Sequence, residues 1–172
     1  MKKTYQIKTL DGFYHQLSLK KYLSLKNRIK KNEGFSEKAY LDQLGFLTIG
    51  YGHLIKRTEK HLLNKKLSKK HLSNIFEIDF NNALKKFAKY YKKYNFSKII
   101  EETLIEMIFQ LGIKKQKKFT KMNNYLKKNS LFMASLEMLD SLWYKQTPRR
   151  VDRLIKALLS INYEKKHKKY FS

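Results

Sequence analysis

Four side chains that could do chemistry together, two carboxylates, a hydroxyl and an imidazole, are spread over twenty-one residues of this sequence. They belong to Glu33, Asp42, Thr48 and His53, and glycines are interspersed among them. Carboxyl and imidazole groups are the usual proton donors and acceptors of enzymes. Proton transfer is therefore the chemistry that these residue types first suggest.

The elements that must position these side chains can be predicted from spacing. Leucine and isoleucine in helical register predict a short helix from Ser24, as N-cap, to Asn32, with Gly34 terminating it. Glu33 would then lie at the helix C-terminus, where the partial negative charge of the helix disfavours a carboxylate and raises its pKa. That placement suits an acid that donates a proton, so we expect activity to fall at alkaline pH.

The stretch after Gly34 has the pattern of strand, tight turn at Gly45, strand, bend and strand. A basic connector with a helical turn follows over residues 55–66. Ser68 is then predicted to cap the longest helix, over residues 68–91, whose apolar residues keep the three-four spacing.

Asp79 is the one charged residue in the apolar stripe of that helix. A charge in such a place requires a partner, and His53 is the obvious candidate. His53 could pass for a catalytic base, but we interpret the two residues as a structural ion pair. A carboxylate partner should raise the pKa of His53.

The remaining sequence predicts a bundle of short helices. Apolar spacing and breakers give helices over 98–111, ended by Gly112, over 119–126, over 131–143, and from Pro148 onward. Residues 1–22 form an N-terminal extension, either a hairpin through Asp11-Gly12 or a basic tail. The fold class is thus α+β and mainly helical.

The composition restricts the class of protein. The chain has 172 residues, a formal net charge of +25 and no cysteine, so neither disulfides nor a thiolate metal site can stabilise it. The longest nearly apolar run, residues 44–51, is too short to span a bilayer, and the first twenty residues lack a secretory signal. We therefore expect a soluble protein made in a cytoplasm.

The positive charge suggests an anionic partner. Nucleic acid, anionic lipid surfaces and bacterial cell-wall polymers all qualify, and so does a lysine-biased genome with no partner at all. No phosphate-binding loop, dinucleotide motif, metal-ligand spacing or internal repeat is present. Composition alone does not choose among these partners.

The pattern around Glu33 resembles a known family. Glu33-Gly34, Tyr40-x-Asp42 and Thr48-Ile49-Gly50-x-Gly52-His53 recur in the phage-type lysozymes, glycoside hydrolase family 24, and most closely in those of the T-even phages. Three further segments match at compatible spacings: Phe109-Gln110-Leu111-Gly112, Phe119-Thr120 and Trp143-Tyr144-x-Gln146-Thr147-Pro148-x-Arg150. The resemblance covers residues 23–172.

The resemblance implies a lysozyme-like fold of two lobes. A small β lobe over about 34–66 and a helical lobe over about 92–172 would be joined by the long helix, at about 68–91. The saccharide chain would lie in the cleft between the lobes.

The resemblance also implies residue roles. Glu33 would be the general acid, Asp42 the second catalytic carboxylate, and Thr48 the residue that helps to place the attacking water. Leu54 and Phe109 match positions that bind the saccharide. Support of the site would come from His53, Asp79 and Arg150, the last either as a partner of Glu33 or as a support of the cleft.

Two further cleft positions differ from the family pattern, because Met122 and Glu137 replace a serine and an asparagine. These changes concern sugar subsites rather than the reaction.

The implied activity is that of a muramidase acting on bacterial peptidoglycan as a monomer. It would need no cofactor and no metal, and it would have no specific nucleic-acid partner. It would wait in the host cytoplasm as an endolysin until another protein opens the membrane, and its charge could concentrate it on anionic cell-wall polymers or a membrane surface. The alternatives are a non-catalytic cell-wall-binding module of a virion or bacterial surface, and a basic nucleic-acid binder.

Overall fold

The computed structural model describes residues 21–42, 45–63 and 66–170, with side chains described only as far as Ser160. The hairpin or basic tail predicted for residues 1–22 lies, apart from its last two residues, outside this part of the chain. Two compact units divide the chain, one up to Asn82 and one from Ala83 onward. The boundary falls inside the longest helix.

The first unit begins with helix α1, Leu23–Glu33. The predicted N-cap, Ser24, was wrong, because Ser24 lies within the helix and Tyr22 precedes it. The N–H of Lys26 donates to the carbonyl of Tyr22 (2.9 Å), and the Tyr22 ring is buried near Phe80, with centroids 6.0 Å apart. Burial of this ring explains why the helix begins earlier than local sequence predicts.

Three strands follow, and they confirm the predicted order of strand, turn, strand, bend and strand. They are β1, Ser36–Leu41, β2, Leu47–Gly50, and β3, His53–Leu54. The sheet is antiparallel in the order β1-β2-β3.

A 3-10 helix, Arg57–Leu62, leads to the long helix α2, Lys69–Tyr91. The Ser68 hydroxyl accepts the N–H of His71 (3.2 Å), which confirms the predicted cap. A hydrophobic cluster joins β2, the 3-10 helix and α2. Its buried residues are Ile49, Leu62 and Leu72, and the partly buried Ile55, Leu67 and Ile75 pack against them.

The second unit is helical. After a 3-10 helix, Lys92–Tyr94, its helices are α3, Lys98–Lys117, α4, Thr120–Lys127, α5, Leu131–Leu139, α6, Leu142–Gln146, and α7, Pro148–Tyr170. The start of α7 at Pro148 confirms the prediction. Helices α3, α5 and α6 each pack against α7.

Gly112 has a φ of +76° and breaks α3, which confirms the predicted stop, and a second helical segment then continues to Lys117. One predicted boundary in this unit was wrong. The helix predicted over 131–143 is two helices, because the Ser141 hydroxyl accepts the N–H of Tyr144 (3.1 Å) and starts α6.

Over the described residues the protein is therefore α+β and mainly helical, with a small antiparallel sheet, as a lysozyme-like fold requires. Among the helices of the described ranges, none has the length and apolar character needed to cross a membrane.

Candidate active site

Glu33 is the last residue of α1 and is half-buried. The helix ends there because Gly34 has a φ of +72°, in the left-handed region that favours glycine. A Cβ atom added to Gly52 would lie 3.0 Å from Glu33 Oε2. The Glu33 carboxyl group therefore lies directly against the backbone of Gly52, in the turn between β2 and β3.

Asp42 directly follows β1 and closes the turn to β2. Its N–H donates to the carbonyl of Phe46 (2.9 Å), and its own carbonyl accepts the N–H of Gly45 (3.0 Å). The Phe46 N–H in turn donates to Asp42 Oδ1 (2.8 Å). These three hydrogen bonds fix both the backbone and the carboxylate of Asp42.

Thr48 lies on β2, directly opposite Tyr40 on β1 and Leu54 on β3. Directly opposed side chains share one face of a sheet, so these three residues form a row across it. Thr48 is only 5% exposed, and its hydroxyl donates to the carbonyl of Phe46 (3.2 Å). Leu54, at the end of the row, is 51% exposed, as a surface contact for a ligand would require.

Tyr40 is influenced by both carboxylates. Its pKa is raised above the usual value, first by burial and then by the negative charges of Glu33 and Asp42. Both carboxylates therefore lie within electrostatic reach of one phenol group. No role for Tyr40 was predicted from the sequence, and its signal was the motif Tyr40-x-Asp42, which places it near the end of β1, two residues before Asp42.

The remaining predicted residues lie in the second unit. Phe109 is half-buried on α3, and the next residue, Gln110, accepts the indole N–H of Trp143 (2.8 Å). Met122 and Glu137, which depart from the family pattern, both line a cavity of about 320 Å³. The structure thus brings these two residues together.

Arg150 is buried and lies beside Glu106. Its Nε is 4.0 Å from Glu106 Oε1, and Arg153 Nη2 is 3.9 Å from the same oxygen. Because Glu106 is only 1% exposed, the two guanidinium groups offset the cost of burying its charge. The predicted roles of Arg150, toward Glu33 or toward the cleft, stay predictions.

The expected contact between His53 and Asp79 is present, with Nδ1 2.7 Å from Oδ2. Sequence reasoning missed a second carboxylate, because His53 Nε2 also lies 3.2 Å from Glu59 Oε2. The sequence feature that could have revealed Glu59 is the helix-capping spacing Lys56-x-x-Glu59. In the structure the Lys56 N–H donates to Glu59 Oε2 (2.9 Å).

These contacts shift the pKa values of His53 and Glu59. The hydrogen bond to Asp79 raises the pKa of His53, although burial opposes it. Burial acts to raise the pKa of Glu59, but hydrogen bonds from the Lys56 backbone and from His53 outweigh it and lower that pKa. Within the residues that the structure describes, no cluster of three or more histidine, aspartate or glutamate side chains could hold a metal ion.

Comparison with known proteins adds one finding to this geometry. Residues 30–158 match the family model described as phage lysozyme, and this range covers well over half of the chain. No curated protein matches the chain in sequence. The matched range contains every residue predicted for the site, and the family supports a peptidoglycan hydrolase of the glycosidase type. The chain belongs to the phage lysozyme family.

Proposed function

We propose that this protein is a muramidase of glycoside hydrolase family 24. It would hydrolyse the β-1,4 bond between N-acetylmuramic acid and N-acetylglucosamine in peptidoglycan. The observation that carries the proposal is that the charges of Glu33 and Asp42 both act on the phenol of Tyr40, which lies directly opposite Thr48 in the sheet. Two carboxyl groups, one as acid and one as base for a bound water, are what inverting glycoside hydrolysis requires.

The proposed reaction gives each of these groups one task. The Glu33 carboxylic acid donates its proton to the glycosidic oxygen as the bond to the anomeric carbon breaks. Asp42 accepts a proton from a water molecule, whose oxygen forms the new bond to that carbon from the opposite face. The anomeric configuration is therefore inverted, which requires a gap of roughly 6.5–9.5 Å between the carboxyl groups to admit the water.

Local hydrogen bonds support these roles. The Phe46 N–H holds Asp42 through Oδ1, so the carboxylate keeps one orientation. The Thr48 hydroxyl donates its proton to the Phe46 carbonyl, which directs the oxygen lone pairs of Thr48 away from that bond. A water molecule could then donate one hydrogen bond to Thr48 and another to Asp42.

Product analysis tests the proposed bond and stereochemistry. Peptidoglycan digested by the protein is reduced with borohydride and hydrolysed, and a muramidase yields reduced muramic acid. Reduced glucosamine would instead indicate cleavage of the other glycosidic bond. Proton NMR during early digestion should show the α-anomer of the new reducing end first, since the substrate linkage is β; early β-anomer would indicate retention.

We also propose that the protein acts as an endolysin. Cells that express it in the cytoplasm should keep dividing until a membrane-permeabilising agent is added, and should then lyse. Lysis without that agent would contradict this role, although it would leave the muramidase assignment intact. A non-catalytic wall-binding module would release no reducing ends under any of these conditions.

A further inference from the structure

Two stretches of the second unit carry many lysines and no acidic residue. Residues 84–97 and 107–136 contain twelve lysines and neither aspartate nor glutamate. No carboxylate within either stretch can therefore neutralise this charge. Like charges held together in a folded chain repel one another, and an anion bound among them would relieve that repulsion.

The fold brings the two stretches together through tyrosines. Lys117 Nζ lies 4.8 Å from the centroid of the Tyr90 ring, and Lys127 Nζ lies 5.0 Å from that of Tyr94. On the first stretch, Lys89 and Lys93 lie over the same two rings, at 5.6 and 5.2 Å. We call these six residues the lysine–tyrosine face: Lys89, Tyr90, Lys93, Tyr94, Lys117 and Lys127.

The face is exposed and keeps its charge. All four of its lysines are exposed, and across the described ranges none of them forms an ion pair with a carboxylate. Contact with an aromatic ring orients an ammonium group without neutralising it. The four charges are therefore both held in place and available to an anion.

A buried hydrogen-bond chain fixes the base of this face. The Tyr91 hydroxyl donates to Gln116 Oε1 (2.5 Å), and Gln116 Nε2 donates to Asn123 Oδ1 (2.8 Å). The chain of hydrogen bonds connects α2, α3 and α4, which carry Lys89, Lys117 and Lys127, and Lys93 follows Tyr91 by two residues. The spacing of the lysines is thus set by the core rather than by flexible loops.

We propose that the lysine–tyrosine face binds a phosphodiester-linked polyol polymer attached to the bacterial cell wall. Repeating phosphates along such a polymer match several ammonium groups held side by side on one surface. This inference rests on the proposed function, because a hydrolase held by a polymer attached to its substrate gains a high local concentration.

The geometry favours this polymer over two other polyanions. Proteins that bind single-stranded nucleic acids stack the bases on open aromatic rings. Here lysines lie over both Tyr90 and Tyr94, and Tyr94 also stacks on Phe96, with centroids 5.5 Å apart. Stable attachment to a bilayer uses apolar side chains that enter it, whereas the face consists of lysines and tyrosines alone.

The test compares matched variants in a Glu33→Gln background, so that walls stay intact. The face variant changes Lys89, Lys93, Lys117 and Lys127 to glutamine. The control changes four exposed lysines elsewhere, Lys60, Lys70, Lys145 and Lys156, to glutamine, and a third variant changes the face lysines to arginine. Binding is measured by co-sedimentation with purified walls that carry poly(glycerol phosphate) and with the same walls stripped of it, at about 0.1 M salt.

We expect the face variant to bind polymer-bearing walls about tenfold more weakly and to lose the preference over stripped walls. The control should change binding less than about twofold, and the arginine variant should bind like the parent. Equal weakening in the face and control variants would overturn the proposal. So would equal binding of the parent to both kinds of wall, or a larger effect of the face variant on single-stranded DNA or phosphatidylglycerol vesicles.

Activity separates this proposal from the proposed function. With Glu33 intact, the face variant should hydrolyse the stripped walls at the same rate as the unmodified protein. Absence of hydrolysis of the stripped walls by the unmodified protein would contradict the muramidase assignment, whereas binding to the polymer would still be measurable. Melting temperatures that match the parent would show that the variants are folded.

Discussion

The imidazole of His53 donates from Nδ1 to Asp79 Oδ2 across 2.7 Å and thereby ties the sheet to α2 within the first unit. His53 is only 8% exposed. Asp79 raises the pKa of His53 above its ordinary value of 6.5, despite the opposing effect of burial. The stabilisation by the pair is therefore complete below about pH 6.5 and is lost as pH rises through the raised folded value.

Replacement of Asp79 by asparagine should lower the free energy of unfolding by about 1–3 kcal/mol near pH 5.5, because it removes a charged hydrogen-bond partner. The loss should become smaller at an alkaline pH above the raised folded pKa of His53, where the imidazole carries no charge. Urea denaturation measures the loss of unfolding free energy at each of the two pH values, with the exposed Asp140→Asn variant as control. An equal loss at both pH values would contradict the role of the imidazolium. Turnover should stay largely intact in Asp79→Asn.

Glu59→Gln tests the second carboxylate at His53. The substitution should lower the pKa of His53, measured by NMR, but by less than Asp79→Asn does, since the Glu59 contact is longer, at 3.2 Å. The double variant should lose less stability than the sum of the two single losses, because both carboxylates act on one imidazolium. Additive losses near neutral pH would show that Glu59 acts independently of His53.

Gly52→Ala should disturb Glu33 directly. Gly52 has a φ of +78°, and the added methyl group would meet Glu33 Oε2 at 3.0 Å. Gly112→Ala is the matched control, because Gly112 has a φ of +76° and nothing within 4 Å of the added group. Both variants should lose about 1 kcal/mol of stability from backbone strain. Only Gly52→Ala should also lower kcat; equal activity of the two variants would contradict the contact.

The pKa of Tyr40 reports on both carboxylates. In a protein with labelled tyrosine rings, NMR titration should place the Tyr40 pKa above 10.0. It should move partly back toward that value in Glu33→Gln and in Asp42→Asn, because each change removes a negative charge that disfavours the phenolate. Glu37→Gln should leave it unchanged. A Tyr40 pKa that is unchanged by both substitutions would show that the two carboxylates do not act on this phenol.

Local sequence signals predicted the elements that depend on local contacts. Ser68 caps its helix through a bond to a backbone N–H three residues later, and Pro148 starts a helix because its fixed φ suits the first turn. Ser24 misled for the opposite reason. Tyr22, which precedes α1, is buried near Phe80, so a tertiary contact overrode the local preference for a serine cap.

Some residues of the candidate site could likewise be predicted from the sequence, and others could not. Spacing pointed to Glu33, Asp42 and Thr48, and the structure shows Asp42 and Thr48 fixed around Phe46. Tyr40 and Glu59 escaped prediction because their importance depends on which residues lie opposite them in the folded chain. The catalytic roles themselves stay predictions.

Comparison of Glu33→Gln with Glu37→Gln tests the central claim, that Glu33 supplies the proton for bond cleavage. Glu37 lies on β1 and pairs with Lys66 at 3.0 Å, so its substitution removes a nearby carboxylate of the same kind. The measurement is the rate at which permeabilised bacteria lose turbidity, with melting temperatures recorded for both variants. We predict that Glu33→Gln lowers the rate about 100-fold or more while Glu37→Gln remains close to the unmodified protein. A folded Glu33→Gln variant that clears the cells at the unmodified rate would contradict the account.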